Sequence, residues 1–316
     1  MERLSLLLVH DLKKLVEEFC DDCLLRNMTA ESVRRYKSCL LIFGNFLSDR
    51  GATIREVDRW VLREFLEYVR FDRRVKEKTI ENYFSAISAF YDYLIFEELF
   101  QMNPVMPFRK RYLRSYKDDA ADPERKLLTV EEMSMLVNSI LDPRDRAIAV
   151  LFAKTGIRRN ELLSLDIDDI NWVEYSITLK KTPKRSNRVV FFDDECALVL
   201  KRWLKVREKL NPRTKALFVS YQSLKRFDRN GLYTAIVKYA THLGFHNPNS
   251  TKMEDHFSPH CFRHWFTTWL HRRGMPREFV KELRGDRRKE AMDIYDHIDR
   301  DELRHAYLAC IPKLGI

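Results

Sequence analysis

The sequence predicts a mainly α-helical protein of two domains: an N-terminal domain of four-helix type, then a mainly helical domain that carries a small antiparallel β-sheet. Apolar residues recur at three- and four-residue steps through most of the chain. A Pro-containing, highly charged stretch interrupts this pattern after residue 102. Strand-type apolar residues occur in a short region between Tyr175 and Phe192. A chain of 316 residues is long enough for two domains that each bury a core.

The first hundred residues predict short amphipathic helices. One apolar stripe consists of Val33, Tyr36, Leu40, Phe43 and Leu47, and another of Ile80, Tyr83, Phe84, Ile87, Tyr91 and Leu94. Thr29, Asp58 and Thr79 are placed where N-caps would start three of the helices. Asn103-Pro104 and Pro107 are expected to end the last of them. Residues 1–108 therefore form the first predicted domain, and residues 109–127, basic at first and acidic later, form a linker.

The second predicted domain covers residues 128–316. It begins with a helix, since Thr129 can act as its cap and Glu132 takes the capping-box position three residues later. The apolar residues between Tyr175 and Phe192 flank a Pro-Lys-Arg-Ser-Asn turn, which predicts a β-hairpin. Helical periodicity returns after Asp193.

Charge and composition favour some classes of partner and exclude others. A net charge of +10 favours polyanions, with nucleic acid ahead of acidic proteins or membrane surfaces. The cysteines at positions 20, 23, 39, 196, 261 and 310 contain one Cys-x-x-Cys without a second pair, so we expect reduced, buried thiols and no metal. We find no Gly-rich phosphate loop and expect no cofactor. Without a signal peptide or an apolar run of spanning length, a cytoplasmic protein with no membrane partner is expected.

The first candidate for chemistry is an arginine that follows Thr155-Gly156. Arg158 precedes Glu161 by three residues, so a helical turn would place the carboxylate where it can orient the guanidinium. Such Arg-Glu pairs are also common on ordinary helices. The planar guanidinium is well suited to bind two non-bridging phosphate oxygens, and it keeps its charge at any working pH.

The second candidate is a predicted helix that has Pro259 in its first turn. One face carries His260, Arg263, His264, Thr267 and His271, and the other carries Phe262, Phe266, Trp269 and Leu270. The polar face is either a solvated surface or, together with Arg158, a site that holds one scissile phosphate. A zinc site made of His260 and His264 lacks further ligands.

The third candidate is Tyr295, in the segment Ile294-Tyr295-Asp296-His297. A tyrosine in such a segment is, by itself, most often a core or interface aromatic. With Arg158, Arg263 and His260 around it, positive charge would stabilise both a phenolate nucleophile and a pentacoordinate phosphorus transition state. The four residues together would allow DNA to be cut without a metal.

The order and spacing of these motifs resemble the tyrosine recombinase family, also called phage-type integrases. The segment Arg284-Gly285-Asp286 resembles an archaeal branch of that family. The helices ending at Asn103-Pro104 resemble the family's core-binding domain, and Leu128 to Glu132 resembles the start of its catalytic domain. The resemblance implies a site-specific integrase or resolvase in which Tyr295 forms a 3′-phosphotyrosyl link, without ATP or metal.

The resemblance also implies a lysine in the hairpin that gives a proton to the leaving 5′-oxygen. Lys180, Lys181 and Lys184 are the candidates, and we prefer Lys181 with Lys184 second. Taken alone, these lysines are better explained by a solvated turn. Asp286 departs from the family pattern, because a His or Trp that donates to the phosphate normally stands there. An ionised carboxylate cannot donate. We expect Asp286 to cap the next helix or to hold Arg263 or Arg287, with Arg284 or Arg287 as the replacement donor.

Double-stranded DNA is the expected partner, bound mainly through phosphate contacts. The candidate contact residues are Arg34, Arg35, Lys37, Arg109, Lys110, Arg111, Lys184, Arg185 and Arg287. By resemblance, the protein would form a homo-tetramer on two DNA sites and be a monomer or dimer when free. The helix predicted from Asp301 to Ala309 would pack in cis or pass to a neighbouring protomer.

Two alternatives to a recombinase follow from the same residues. A type IB topoisomerase shares the chemistry but rejoins the same strand, and would not assemble tetramers on paired sites. A DNA-binding member of the family that has lost catalysis is suggested by Asp286 and would form no covalent complex with DNA.

Overall fold

A computed structural model describes residues 11–113, 126–180, 188–250, 252–286 and 298–316 of the chain. The chain divides into two compact units, Met1–Asp119 and Ala120–Ile316. The division falls inside the predicted linker. The mainly helical architecture with a small sheet, predicted from periodicity, is confirmed.

The described residues of the first unit form four longer helices and a short fifth one. They are α1 (Asp11–Leu25), α2 (Ala30–Asp49), α3 (Arg59–Glu67, continued by a π-helical turn Tyr68–Asp72), α4 (Glu77–Phe96) and α5 (Val105–Tyr112). The two predicted apolar stripes lie on α2 and α4 and face one core, in which Tyr36 alone of these residues is only partly buried. The Tyr91 hydroxyl donates to the Ile54 carbonyl at 2.7 Å, so this buried polar group is satisfied.

Two of the three predicted N-caps in this unit are confirmed. The Thr29 and Asp58 side chains accept backbone hydrogen bonds at the starts of α2 and α3. The prediction for Thr79 is wrong, because α4 begins earlier and the Lys76 carbonyl accepts from the Thr79 amide at 2.7 Å. Glu77, the first residue of α4, forms an ion pair with Arg70.

The linker begins later than predicted, because residues 109–112 belong to α5. The Asn103 side chain accepts from the Val105 amide at 2.9 Å and starts this helix. Pro107 lies in the first turn, where its missing N–H is not needed. Phe108 stacks against Phe84 and Tyr112, with ring centroids 5.3 and 4.6 Å apart. Packing on the core therefore continues the helix through the basic residues.

The second unit holds eight helices among its described residues. They are α6 (Val130–Ser139), α7 (Pro143–Thr155), α8 (Arg159–Ser164), α9 (Asp194–Leu210), α10 (Arg229–His242), α11 (Pro259–Arg272), α12 (Arg277–Arg284) and α13 (Arg300–Cys310). The predicted capping box of Thr129 and Glu132 is confirmed at the start of α6. Asp193 caps α9, where the helical pattern was expected to return. Helix α7 is buried along its whole length and lies at the centre of this core.

The predicted hairpin is confirmed as β2 (Ser176–Thr178) and β3 (Val189–Phe191). A further strand, β1 (Ile170–Asn171), pairs with β2, so the sheet has the order β1-β2-β3 and is antiparallel throughout. Ile177 pairs with Val190 and both are buried. The turn between β2 and β3, with Lys181, Lys184 and Arg185, lies outside the described residues.

The C-terminal helix α13 packs on its own chain in this structure. Leu303, Tyr307 and Cys310 are buried beside Phe191 of β3 and apolar residues of α11 and α12. The Tyr307 hydroxyl donates to the Lys154 carbonyl at 2.8 Å. The residues after α13 contact the same unit: the Pro312 carbonyl accepts from Lys154, and the amides of Leu314 and Gly315 donate to Glu195.

The composition-based expectations about cysteines and membranes can be compared with the described residues. All six cysteines are buried free thiols, as expected. No helix in the described ranges is long and apolar enough to cross a membrane. Within the same ranges, no group of three or more His, Cys, Asp or Glu residues is arranged to hold a metal ion.

Candidate active site

The first arginine is positioned by the turn between α7 and α8. Gly156 ends α7 with a φ of 59°, in the left-handed region that favours glycine. A Cβ at this position would lie 2.3 Å from Cδ1 of Phe266 on α11, so the close approach of the two helices also requires glycine. Arg158 follows in extended conformation and starts α8, with a quarter of its side chain exposed.

The second arginine lies on α11, which begins at Pro259 as predicted. Arg263 is 4% exposed, and its Nη1 donates to the Gly156 carbonyl at 2.8 Å. Burial, and secondarily the nearby Arg284, lowers the pKa of Arg263 to about 10, which leaves it cationic at neutral pH. His260 is exposed one turn earlier on the same helix, with its ring 4.8 Å from that of His264. The apolar face of α11 packs into the core, as predicted.

The two arginines meet at the turn that follows α12. The Arg284 carbonyl accepts from Arg158 Nη1 at 2.9 Å and from Arg263 Nη2 at 2.8 Å. The Asp286 Oδ1 atom lies 3.4 Å from Arg158 Nη2 and 3.3 Å from Arg263 Nη2. The structure therefore brings Arg158, Arg263 and Asp286 together although they are far apart in sequence. It also brings Asp286 to Arg263, one of the partners named as possible from the sequence.

Arg284 contributes a further charge to this cluster. Its Nε lies 3.0 Å from Asp286 Oδ2, close enough for an ion pair. The same Nε has no partner in hydrogen-bond geometry, so the contact is electrostatic rather than directional. The expected replacement donor Arg284 is thus adjacent to the site, whereas the other one, Arg287, lies outside the described residues.

Glu161 has a different main partner from the one expected. Its Oε2 accepts from the Arg158 backbone amide at 2.7 Å, while the contact with the Arg158 guanidinium is long, at 3.4 Å. Both carboxylate oxygens instead accept from Arg188, at 2.9 Å each. Arg188 also donates from Nε to the Leu283 carbonyl at 2.9 Å. Glu161 therefore fixes the backbone of Arg158 and joins α8 to the end of the hairpin and to α12.

Arg188 is a site residue that the sequence analysis did not single out. It is 6% exposed and lies so close to the turn after α12 that a Cβ on Gly285 would be 2.6 Å from its Nη1. Gly285 has a φ of 61°, so conformation and space both require glycine between Arg284 and Asp286. A signal for Arg188 was available in the sequence, because it directly precedes the apolar strand β3. A buried carboxylate such as that of Glu161 needs a cation nearby.

Of the three candidate lysines in the hairpin, Lys180 is described and is engaged elsewhere. Its ammonium pairs with Asp166, which also accepts from Arg226, and Asp169 lies 3.6 Å away. Lys181 and Lys184 lie outside the described residues, and so does Tyr295.

The candidate DNA-contact residues that are described lie on α2 and α5. Arg34 and Arg35 are exposed, whereas Lys37 is paired with Glu17 of α1. Arg109 donates to the Ser85 hydroxyl at 2.9 Å. The exposed residues Lys110 and Arg111 continue the basic end of α5. Cations in the last turn of a helix are also favoured by its dipole, so their presence alone does not establish a DNA surface.

Comparison with known families places this site in context. The phage integrase family model matches residues 126–302, which is more than half of the chain. The N-terminal SAM-like domain of phage integrases matches residues 16–98. The chain belongs to the phage integrase family. It is a tyrosine recombinase, an enzyme of site-specific DNA recombination, and the resemblance noted from its motifs is confirmed.

Curated recombinases are similar to this family member over nearly their whole length. Tyrosine recombinase XerC of Oceanobacillus iheyensis is 27% identical over 299 residues, which cover 91% of this chain and 92% of the relative. Tyrosine recombinase XerA of Saccharolobus solfataricus is 26% identical over 285 residues, which cover 88% and 86% of the two chains. The similarity therefore includes both units.

Solved structures of integrases and recombinases share the fold. XerH recombinase bound to a palindromic difH substrate matches with a TM-score of 0.67 at 21% identity, covering 93% of this chain and 83% of that one. The Tn1549 transposon integrase in complex with transposon right end DNA matches with a TM-score of 0.68 at 18% identity, covering 92% and 97%. At these identities the match supports the fold.

Proposed function

We propose that Tyr295 is the nucleophile of this recombinase and that Arg158, Arg263 and His260 bind the scissile phosphate. The tyrosine oxygen would attack phosphorus, the bond from phosphorus to the 5′-oxygen would break, and a 3′-phosphotyrosyl link would keep the bond energy for rejoining. Fixed positive charge would stabilise the transition state, in which negative charge accumulates on the non-bridging oxygens.

The observation that carries this proposal is the convergence of two guanidiniums on one anion. Arg158 and Arg263 both direct Nη2 toward a single carboxylate oxygen, and both are held from behind by the Arg284 carbonyl. Donors fixed in this way need no reorganisation when a phosphate arrives. We assign Glu161 a positioning role, since it holds the Arg158 backbone.

We propose Lys181 as the general acid that gives its proton to the leaving 5′-oxygen, with Lys184 as the second candidate. The ion pairs of Lys180 with Asp166 and Asp169 support this choice, because they occupy the third candidate. Basic residues at positions 34, 35, 37, 109–111, 184, 185 and 287 are proposed to contact DNA phosphates.

The proposed substrate is double-stranded DNA, on which the protein would form a homo-tetramer across two sites and from which it would dissociate to a monomer or dimer. Relatives that were solved with DNA, including a lambda integrase dimer on a core site, support a multimeric complex. We place the enzyme in the cytoplasm, where a chromosomal or plasmid substrate lies. Similarity to Xer recombinases favours exchange between two sites over topoisomerase-like relaxation.

The test is to trap a covalent complex. The full chain is incubated with sheared genomic DNA, denatured with SDS, and the DNA ends attached to protein are sequenced. We expect an adduct from the wild type and none from Tyr295→Phe. Tyr233→Phe is the matched control, because it removes the hydroxyl of an exposed tyrosine on α10 that has no proposed catalytic role; Tyr233 is 40% exposed.

The outcomes separate the alternatives. An adduct that persists in Tyr295→Phe would overturn the assignment of the nucleophile. No adduct from the wild type, despite salt-sensitive binding to DNA, would favour a member that binds DNA without cutting it. An adduct whose captured ends share a sequence, with tetramers on paired copies of that sequence, would support a recombinase rather than a topoisomerase.

A further inference from the structure

The carboxylate of Asp286 lies at the open side of the arginine pair. Its side chain is 33% exposed, whereas that of Arg263 beneath it is 5% exposed and that of Arg158 is 26% exposed. Of these three side chains, that of Asp286 is the most accessible to solvent.

Other donors of the two arginines bind carbonyls within the protein, including Arg263 Nη2, which also donates to the Arg284 carbonyl at 2.8 Å. Arg158 Nη1 donates to the Arg284 carbonyl, and Arg263 Nη1 donates to the Gly156 carbonyl. The Nη2 atoms are the donors that both groups direct to Asp286 Oδ1. Carboxylate and phosphate oxygens are equivalent acceptors for a guanidinium. The Asp286 oxygen thus occupies the position where a non-bridging phosphate oxygen would bind.

The arginine pair holds this carboxylate loosely, and the third contact, 3.0 Å from Arg284 Nε to Asp286 Oδ2, lacks hydrogen-bond geometry. Its contacts of 3.3 and 3.4 Å with the two arginines are longer than the 2.7–2.9 Å typical of charge-assisted hydrogen bonds. The backbone beside it is fixed, because Gly285 is in the left-handed region and packs on Arg188. The part of Asp286 that has to move for a phosphate to bind is therefore its side chain rather than the turn.

We propose that Asp286 is an internal counter-ion that occupies the phosphate position in the DNA-free enzyme and must leave it for cleavage. The proposal rests on the proposed function of the arginine pair. It also explains how a carboxylate is tolerated at a site for phosphate. Four guanidiniums, those of Arg158, Arg188, Arg263 and Arg284, surround two carboxylates, those of Glu161 and Asp286. Displacement of Asp286 raises the positive charge that faces the DNA.

The consequence is competition between Asp286 and any anion for the arginine pair. Asp286→Asn keeps the size of the side chain and removes its charge, so an anion should bind more tightly to this variant. The gain expected is roughly tenfold or more, the ratio associated with one charge-assisted hydrogen bond. If Asp286 instead held the arginines in place, its substitution would misplace them and weaken the binding of an anion.

The first measurement uses inorganic sulfate as the probe, so that it does not depend on DNA cleavage. The dissociation constant is obtained by NMR titration of the arginine Nε–H signals in the full chain. We expect tighter binding in Asp286→Asn and in Asp286→Ser. Asp168→Asn is the matched control, because Asp168 is an exposed partner of Lys215 away from the arginine pair, and its loss makes the same change in net charge.

The second measurement is the rate of adduct formation at subsaturating DNA, for which Asp286→Asn should exceed the wild type. If sulfate affinity in both Asp286 variants stays at or below the wild-type value while their melting temperatures are retained, Asp286 is not a competitor and the proposal fails. If sulfate binds more tightly to the Asp286 variants but neither they nor the wild type form an adduct, the counter-ion role of Asp286 is supported and the proposed function of Tyr295 fails. If Asp286→Asn does not fold, Asp286→Ser decides the sulfate test.

Discussion

Replacing Arg188 with methionine removes the cation that faces the buried carboxylate of Glu161. Arg188 makes two hydrogen bonds of 2.9 Å to this carboxylate and one of 2.9 Å to the Leu283 carbonyl. Both partners are nearly inaccessible, with 4% and 8% of their side chains exposed. Removal of one member of a buried ion pair costs about 3–5 kcal/mol when the other charge stays buried, and here the Arg158 guanidinium, 3.4 Å from Glu161, compensates that charge only in part. We expect Arg188→Met to destabilise the second unit by that amount.

The assay is urea unfolding followed by tryptophan fluorescence in a Trp60→Phe background. Trp60 lies in the first unit and is 54% exposed, so its replacement should have little effect on the free energy of unfolding. The tryptophans that remain all belong to the second unit, namely Trp172, Trp203, Trp265 and Trp269. The signal then reports the unit that contains Arg188, and the two units need not unfold together.

Two further variants test the reasoning about charge. Arg300→Met removes an arginine that is 53% exposed and pairs with Glu174, so it should cost less than about 1 kcal/mol. The double variant Arg188→Met with Glu161→Gln should recover at least half of the loss, because no unpaired charge stays buried. A cost for Arg188→Met no larger than for Arg300→Met, or a double variant as unstable as the single one, would refute the argument.

The remaining predictions concern the proposed general acid and the C-terminal tail. Lys181→Ala should slow cleavage by about 10²–10⁴-fold, and a 5′-bridging phosphorothiolate in the captured DNA site should restore the rate, because a thiolate leaves without a proton. Glu195→Gln should release the tail, since the Glu195 carboxylate accepts from the amides of Leu314, Gly315 and Ile316 at 2.7–3.1 Å; hydrogen exchange of these amides measures the release. Burial raises the pKa of Glu195, but hydrogen bonds from Lys154 and the tail amides outweigh it and lower the pKa below 4.5. The tail should therefore be held above pH 4.5, and its hydrogen bonds should be lost as the pH falls through the lowered pKa.

Controls for these predictions lie close by in the chain. Lys180→Ala should leave the phosphorothiolate-to-phosphate rate ratio at its wild-type value, because Lys180 pairs with Asp166. An equal defect of Lys181→Ala on both substrates would argue against proton donation. For the tail, Asp194→Asn removes an exposed neighbour that pairs with Lys313, and it should leave amide protection after residue 313 largely intact. Unchanged exchange in Glu195→Gln would contradict the anchoring role.

Several features of the fold could be predicted because they depend on short segments. Thr29, Asp58 and Thr129 cap helices through their own side chains, so the local sequence identifies them. The start of α4 was missed because the backbone of Lys76, rather than a capping side chain, begins it. Helix α5 was missed because the stacking of Phe108 on Phe84 joins positions 24 residues apart.

The sequence by itself determined the helical class, the hairpin, the motifs and the family, because periodicity, caps and motif spacing are properties of neighbouring residues. The tertiary structure decided which charges meet. Glu161 joins Arg188 rather than chiefly Arg158, and the carboxylate of Asp286 lies against Arg158 and Arg263. These contacts connect residues between 23 and 128 positions apart. Electrostatic pairing depends on distance in space and on burial, and these arise only when α7, α11 and the turn after α12 pack together.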